Sequence, residues 1–355
     1  MTKVAILGFG VVGSGVAEVL AQNAAHIAAK AAGGIETGYI LDIRSFPDSP
    51  FSGLLTSDFS IIENDPDVSV VAEVIGGTGA AYEFTKRALA AGKSVVTSNK
   101  ELVAKHGAEL LAMARARGVQ YLFEASVGGG IPIIRPLWQC LAANRITDIY
   151  GILNGTCNYI LTRMAKDGKS FDAALKEAQA AGYAEADPSA DIEGRDTCRK
   201  ICILASMSFG KHVYPQYVHT EGITGVTAGH IAEAAAMDCS IKLLGRASLR
   251  EDGRVNILTA PHLVGKDSPL FAVSDVFNGI CVMGNATGEV MFYGRGAGKL
   301  PTASAVVADI MDCVRNRVNP RAVMWQDSEG DITAPVSEFV CKTHTFSDGV
   351  TMRIL

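Results

Sequence analysis

The chain has no apolar run near the roughly 20 residues that a membrane-spanning helix needs, so no membrane partner is expected. Nor does it carry an excess of positive charge. Its 32 Lys and Arg against 37 Asp and Glu leave a formal net charge of −5, which speaks against the basic patch of a nucleic-acid binder. The eight cysteines include no C-x-x-C pair. A zinc site is therefore disfavoured, and the thiols read as small buried residues in a reducing cytoplasm. Internal repeats and low-complexity segments are absent. The opening MTKVAILGFGVVG has one Lys before an apolar run, as a secretory leader would. Glycines interrupt that run at once and no cleavage site follows, so it reads as a first strand.

What is present is enough apolar material, 48% of 355 residues, for about two well-packed domains. Lys3 to Leu7 read as a buried strand and Gly15 to Ala29 as a helix. Between them lies Gly8-Phe9-Gly10-Val11-Val12-Gly13, a G-x-G-x-x-G turn with a strand before it and a helix after it. That context is what a dinucleotide-binding turn requires: glycines let a pyrophosphate approach, and the helix N-terminus offers it N–H groups and a positive dipole end. A second strand, Glu36 to Leu41, ends at Asp42. An acid there accepts from ribose hydroxyls and repels a 2′-phosphate. Arg44, two residues on, offers a site for that phosphate instead.

Strands at 68–75, 93–97 and 119–125 alternate with helices at 80–91 and 101–117. The alternation predicts a parallel, doubly wound sheet whose ligands sit at the carboxyl ends of the strands. Gly8–Gly13, Gly76–Thr78 and Ser98–Lys100 all fall there. Lys100 also opens a helix, where the dipole disfavours a cation, so its presence suggests a task other than helix stability.

From Ser126 the texture changes, with a bend at Gly128–Pro132. A strand at 146–153, a turn at 154–158 and a helix at 171–181 lead into GYAEADPSADIEGRDTCRK, residues 182–200. Asp196 and Lys200 share a helical face there, directly before an apolar continuation. The plain reading is a solvated helix-stabilising pair; the functional one is a charge pair carried into a cleft. Strand-like pieces follow at 254–258, 279–283 and 289–293, then a glycine-rich turn at 294–298 and a helix at 302–315. The expected organisation is a dinucleotide-binding domain, 1–128, with 296–320 returning to it. A mixed α+β catalytic and dimerisation domain, 129–295, and a tail, 321–355, of two short strands complete it.

These segments converge on one family. GFGVVGSGV, AEVIGG, TSNKELVA, EASVGGGIPII, GILNGTCNYIL, the 182–200 stretch, TEGITGVTA and FYGRGAGKLPTASAVV together resemble a homoserine dehydrogenase over Lys3 to Asn319. The resemblance implies a Rossmann-like first domain, NAD or NADP as cofactor, and interconversion of L-homoserine and L-aspartate 4-semialdehyde. It also implies a homodimer in the cytoplasm. Lys200 then looks like the proton-transferring lysine, and Lys100 like a second active-site lysine. Asp196 and Glu185 look like substrate ligands, with Asp191 supporting and Gly155 and Thr156 in the substrate loop. Gly8, Gly10, Val11, Val12 and Gly13 look like the phosphate loop, and Asp42, Thr78, Lys100, Gly182 and Gly298 like further cofactor contacts. Glu124, Val127, Gly129 and Ile131 are similar to a monovalent-cation site, for Na+ or K+, built mainly from carbonyls.

Two departures bear on this. Many members carry an arginine where this chain has Leu41, so NAD is expected to serve at least as well as NADP. Only about 35 residues follow Asn319, too few for an appended regulatory fold, so little response to threonine is expected. Two other functions compete. One is a semialdehyde dehydrogenase using Cys157 as a thiolate nucleophile; the other is a nucleotide-sensing regulator without turnover, against which the acid-and-lysine cluster at 185–200 argues.

Overall fold

The computed structural model describes residues 1–31, 33–320 and 325–355. They divide into two compact units. The first comprises Met1–Trp138, Gly210–His212 and Ala297–Asp327; the second comprises Gln139–Phe209, Val213–Gly296 and Ser328–Leu355. No described helix is long and apolar enough to cross a membrane.

The first unit is a six-stranded parallel sheet: β1 Thr2–Leu7, β2 Ile35–Leu41, β3 Leu55–Thr56, β4 Val68–Glu73, β5 Ser94–Thr97 and β6 Tyr121–Leu122. Its order, β3-β2-β1-β4-β5-β6, reverses between β1 and β4. That switch point is where an open sheet of this kind leaves a crevice for a dinucleotide. Helices α1 Val11–Gln22, α2 Ala24–Ala31, α3 Phe59–Asn64, α4 Gly79–Ala90 and α5 Lys100–Arg117 connect the strands. The central strand β1 is apolar from Val4 to Leu7 because both its faces are covered, and these four residues are fully buried.

Gly13 shows why the turn after β1 needs glycine. A Cβ there would lie 1.9 Å from the Gly8 carbonyl oxygen, so α1 could not start so close to the strand. The continuous helix expected over 15–29 is two helices, broken at Asn23. The strand expected at 119–125 stops at Leu122, because Glu124–Ser126 turn back. Within this unit His212 ties the later segments to α5. Its Nε2 bonds the Ala104 carbonyl at 2.8 Å, and its Nδ1 accepts from Trp325 Nε1 at 3.0 Å and from the Ala108 N–H at 3.2 Å.

The second unit is a mixed sheet of eight strands. They are β7 Ile146–Ile152, β8 His219–Thr220, β9 Cys239–Leu249, β10 Val255–Gly265, β11 Phe277–Gly284, β12 Gly288–Arg295, β13 Thr343–Thr345 and β14 Thr351–Ile354. The order is β12-β11-β7-β9-β10-β14-β13, with β8 also beside β10. Its helices are α6 Gly155–Asp167, α7 Phe171–Ala180, α8 Ser189–Ile192, α9 Arg195–Phe209 and α10 Ala228–Ala236; the later α11, Lys299–Arg315, belongs to the first unit. In the tail the two short strands are β13 and β14, paired antiparallel; ahead of them Thr333 makes an isolated parallel bridge with Val255 and 336–338 form a single turn. Residues 321–324 of that tail lie outside the described ones.

β9 is the central strand on which α6, α9 and α10 all pack. Its sequence hid it: Lys242, Gly245 and Arg246 interrupt the apolar pattern. Each has a reason. Lys242 is buried with Nζ on the Val273 carbonyl at 2.5 Å, and burial pulls its pKa down to about 8. A Cβ at Gly245 would stand 2.8 Å from Ile201 Cβ and 3.1 Å from a Leu153 methyl, so glycine lets α9 lie close to the sheet.

Gly245→Val is therefore expected to lower the unfolding free energy by about 1–3 kcal/mol, the usual cost of overpacking. Urea denaturation followed by circular dichroism reads this directly, and an unshifted midpoint would mean that α9 does not pack as closely as described.

Candidate active site

The charged stretch at 182–200 does go into the core, but only from Arg195, where α9 begins. Asp196 and Lys200 are 3% and 7% exposed. They sit on one face, with Nζ 2.9 Å from Asp196 Oδ2. Two such charges are tolerated inside only if their remaining hydrogen-bonding capacity is met. Leu153, at the end of β7, supplies its carbonyl oxygen to Lys200 Nζ at 2.8 Å. Asn154 adds a donor on the acid side. Its Nδ2 donates to Asp196 Oδ2 at 2.9 Å and to Asp191 Oδ1 at 2.7 Å, while its Oδ1 accepts from the Cys157 N–H at 2.8 Å and caps α6. One buried amide thus orients two carboxylates and starts a helix.

The other expected substrate residues are spread around this core. Asp191 is half-buried on α8. Gly155 and Thr156 open α6, and Thr156 Oγ1 donates to the Tyr183 carbonyl at 2.6 Å. Glu185 is exposed in the turn between α7 and α8, where its carbonyl accepts from Gln179 Nε2 at 3.1 Å. Gly182 lies in the same turn with φ of +74°. Cys157 is fully buried, and its Sγ donates to the Asp191 carbonyl at 3.2 Å. Burial first, and then the Asp191 and Asp196 charges, push its thiol well up. It is a thiol rather than a thiolate at neutral pH, which removes the basis for a cysteine nucleophile.

In the first unit, the glycine turn and three helix starts carry the expected cofactor contacts. Gly10 precedes α1, whose first residue Val11 is 69% exposed; Val12 is half-buried and Gly13 is packed under the turn. Thr78 precedes α4, Lys100 is the first residue of α5, and Gly298, with φ of +131°, precedes α11. The carboxyl ends of β4 and β5 are joined by a buried network that the sequence reading missed. Glu73 accepts from the Ile75 N–H at 2.8 Å and from Thr97 Oγ1 at 2.7 Å, and Thr97 Oγ1 accepts from the Asn99 N–H at 2.9 Å. Asn99 donates to the Gly77 carbonyl at 2.6 Å and caps α5 through the Leu102 N–H. Burial pushes the Glu73 carboxyl up, against the pull of those donors. The network fixes the loops that hold Thr78 and Lys100.

Asp42 does not present an open carboxylate. Oδ1 accepts from the Arg44 N–H at 2.9 Å and Nε at 3.0 Å; Oδ2 accepts from Arg44 Nη2 at 2.9 Å and the Phe9 N–H at 2.7 Å. At the expected cation site the Glu124 carboxylate is also engaged. It accepts from the N–H groups of Ile133, Ile134 and Arg135 at 2.6, 2.9 and 2.7 Å. A cation beside Val127, Gly129 and Ile131 would therefore rest on main-chain oxygens. Among the described residues no three His, Cys, Asp or Glu side chains converge as a metal site.

Asn154 and Glu73 are the residues organising these candidate sites that the sequence alone did not single out. Asn154 had one usable signal, an Asn three residues before a helical Cys in GILNGTCNY, which reads as an ordinary cap. Glu73 had another, an acid closing an otherwise apolar strand.

The chain was compared with known proteins. Residues 132–311 match the family model described as "Homoserine dehydrogenase", and residues 8–124 match "Homoserine dehydrogenase, NAD binding domain". A homoserine dehydrogenase of Synechocystis sp. is 45% identical over 321 residues, 88% of this chain and 73% of that protein. One of Pseudomonas aeruginosa is 44% identical, over 88% and 72%. Among solved structures, a homoserine dehydrogenase from Thiobacillus denitrificans superposes with a TM-score of 0.86 at 40% identity, covering 94% of this chain and 78% of that one. A hyperthermophilic archaeal homoserine dehydrogenase in complex with NADPH gives 0.75 at 27% identity, over 90% and 99%.

Replacing Asn154 by Ala removes the α6 cap and both amide donors to the buried carboxylates. The expected loss of stability is about 1–3 kcal/mol. Thermal and urea unfolding of Asn154→Ala test this, and a variant as stable as the parent would show that the amide does not hold the cluster.

Proposed function

Because the chain belongs to the homoserine dehydrogenase family, we propose that the buried Asn154–Asp196–Lys200 cluster is where it handles its substrate, with Lys200 carrying the proton. The enzyme is an NAD(P)-dependent oxidoreductase interconverting L-homoserine and L-aspartate 4-semialdehyde, a step in amino-acid biosynthesis. The first unit suits its cofactor: Gly13 lets α1 begin directly against the turn after β1, which leaves the free N–H groups of its first turn for a pyrophosphate. Gly8, Gly10, Val11, Val12, Gly13, Thr78 and Gly298 are the residues that would hold it. When bound, the nicotinamide accepts or returns the hydride.

The remaining work falls to the chain's own groups. The observation that carries the reading is the geometry of Lys200 Nζ. An ammonium has three hydrogens. Among the described residues Leu153 O and Asp196 Oδ2 take two, leaving one donor direction for a substrate oxygen. As the ammonium, Lys200 gives its third proton to the aldehyde oxygen in the reductive direction; as the neutral amine it takes the hydroxyl proton in the oxidative one and becomes the ammonium. Asp191 and Asp196, oriented through Asn154, supply the negative charge that a substrate ammonium requires, and Glu185 adds to it from the neighbouring turn. Lys100, on the loop fixed by Asn99, serves the same reaction as a second cation. A sodium or potassium ion on the main-chain oxygens of Val127, Gly129 and Ile131 is part of this reading.

The working assembly is a homodimer joined through the eight-stranded sheet of the second unit, a closed two-fold pair being the commonest arrangement. Light scattering should return twice the chain's 37.3 kDa; a mass of one chain at micromolar concentration would contradict it.

For Lys200→Ala the expected result is a fall in kcat of at least about a hundredfold, the scale of acid–base assistance. Binding of the reduced cofactor, followed by fluorescence, should barely change. Near-parental turnover would transfer the role to Lys100.

A further inference from the structure

We propose that Asn278 is a positioning residue for the reaction: its buried amide is a spacer between Gly155, which opens α6, and Gly296, in the glycine-rich turn after β12. The proposal rests on reading the start of α6 as a wall of the substrate site, and adds to that wall a residue the reading did not include. Asn278, Gly155 and Gly296 all belong to the second unit.

One face of α6 is fastened to the segment that leads into β11. Thr162 Oγ1 accepts from the Asp275 N–H at 3.0 Å, and Asn158 Nδ2 donates to the Phe277 carbonyl at 3.0 Å. A Cβ on Gly155 would lie 2.9 Å from the Val276 carbonyl oxygen. Residues 155, 158 and 162 are spaced by three and four, so they share that face. The first turn of α6 therefore has a fixed place beside Asn278, the second residue of β11, whose Oδ1 would be 3.6 Å from the same Cβ. Asn154, next to Gly155, is the amide that orients Asp191 and Asp196, so a shift at Gly155 reaches the charged cluster.

The other side of the amide meets the glycine-rich turn. Asn278 pairs with Gly294 across β11 and β12, and two residues later Gly296 lies against its side chain. A Cβ on Gly296 would stand 1.9 Å from Asn278 Nδ2, 2.4 Å from its Cγ and 2.9 Å from its Oδ1. Main-chain conformation is not what excludes it. Gly298, in the same turn, has a φ of +131° and needs glycine for its backbone, whereas Gly296 is not among the glycines with positive φ. At 296 the obstacle is the amide. That amide is kept at a cost, because Asn278 is 1% exposed and its Oδ1 has no hydrogen-bond partner among the described residues. A buried carbonyl oxygen without a donor lowers stability, and an apolar side chain would avoid the loss. The resting fold gains nothing from that oxygen. What the flat amide contributes is the separation of the two glycines that it lies between.

Three variants test the spacer: Asn278→Ala, Gly296→Ala and the two combined. Homoserine oxidation gives kcat and KM, fluorescence of the bound reduced cofactor gives its dissociation constant, and urea denaturation gives the midpoint. Gly296→Ala, which the backbone allows, drives a Cβ onto the amide and should lower kcat/KM for homoserine at least about tenfold, since a misplacement of about 1 Å can cost a hundredfold. Asn278→Ala should also lose at least about tenfold, with the cofactor dissociation constant and the urea midpoint close to parental. In the combined variant the Cβ has room, so kcat/KM should stay within about threefold of Asn278→Ala alone instead of falling by the product of the two losses. Should Asn278→Ala not fold, Asn278→Ser makes similar room and takes its place in the same comparison. Parental kinetics in Gly296→Ala, or a combined variant that loses the full product, would overturn the proposal. So would an Asn278→Ala in which homoserine, cofactor and midpoint all weaken together, the mark of a merely structural residue. A parent inactive on homoserine would strike at the function instead, and the urea midpoints of the same three variants would still decide whether amide and Cβ compete.

Discussion

The second unit depends on one amide. Burying Asp196 and Lys200 removes two charges from water, and attraction between them repays that only if their other hydrogen-bonding positions are filled. Asn154 donates to Asp196 Oδ2 on the acid side and Leu153 accepts from Lys200 Nζ on the base side, and the two are consecutive. That places the demand on the join between β7 and α6. The strand must end where its last carbonyl meets Nζ, and the helix must begin where its cap can also reach α8 and α9. Gly245 completes the arrangement by letting α9 lie close to β9. The result is a lysine with a fixed direction, two of whose three donor positions are taken by Leu153 O and Asp196 Oδ2.

The first unit solves a different problem, fixing flexible loops at the ends of parallel strands. A parallel sheet delivers its loops to one edge, but loops there have no ladder to hold them. Glu73, Thr97 and Asn99 provide a ladder of side chains in its place, and bind the turn after β4 to the start of α5. The Phe9, Phe46 and Phe51 rings do the same for the loop after β2. Burial makes the first device stiff, since an unsatisfied carboxylate there has nowhere to relax.

The legible parts of the sequence were those that a local rule determines. The glycine turn could be read because its strand and helix flank it directly. The Asp196–Lys200 pair could be read because four-residue spacing puts it on one face. What escaped depended on partners distant in sequence. β9 was hidden because Lys242 and Gly245 are excused only by Val273 and by α9. β6 ended early because the Glu124 carboxylate serves N–H groups nine to eleven residues on. Asn154 looked like any helix cap until Asp191 and Asp196, 37 and 42 residues away, were seen on its amide. At Asp42 the sequence supplied the residue but not the Arg44 and Phe9 donors on its carboxylate.

The account stands on Lys200 being the group that meets the reacting oxygen. A crystal structure of the enzyme with L-homoserine and an unreactive cofactor analogue tests this most directly. The account predicts the substrate hydroxyl oxygen about 3 Å from Lys200 Nζ, in the donor direction left by Leu153 O and Asp196 Oδ2. A hydroxyl held by Lys100 instead, with Lys200 still closed on Leu153 and Asp196 and out of reach, would contradict it.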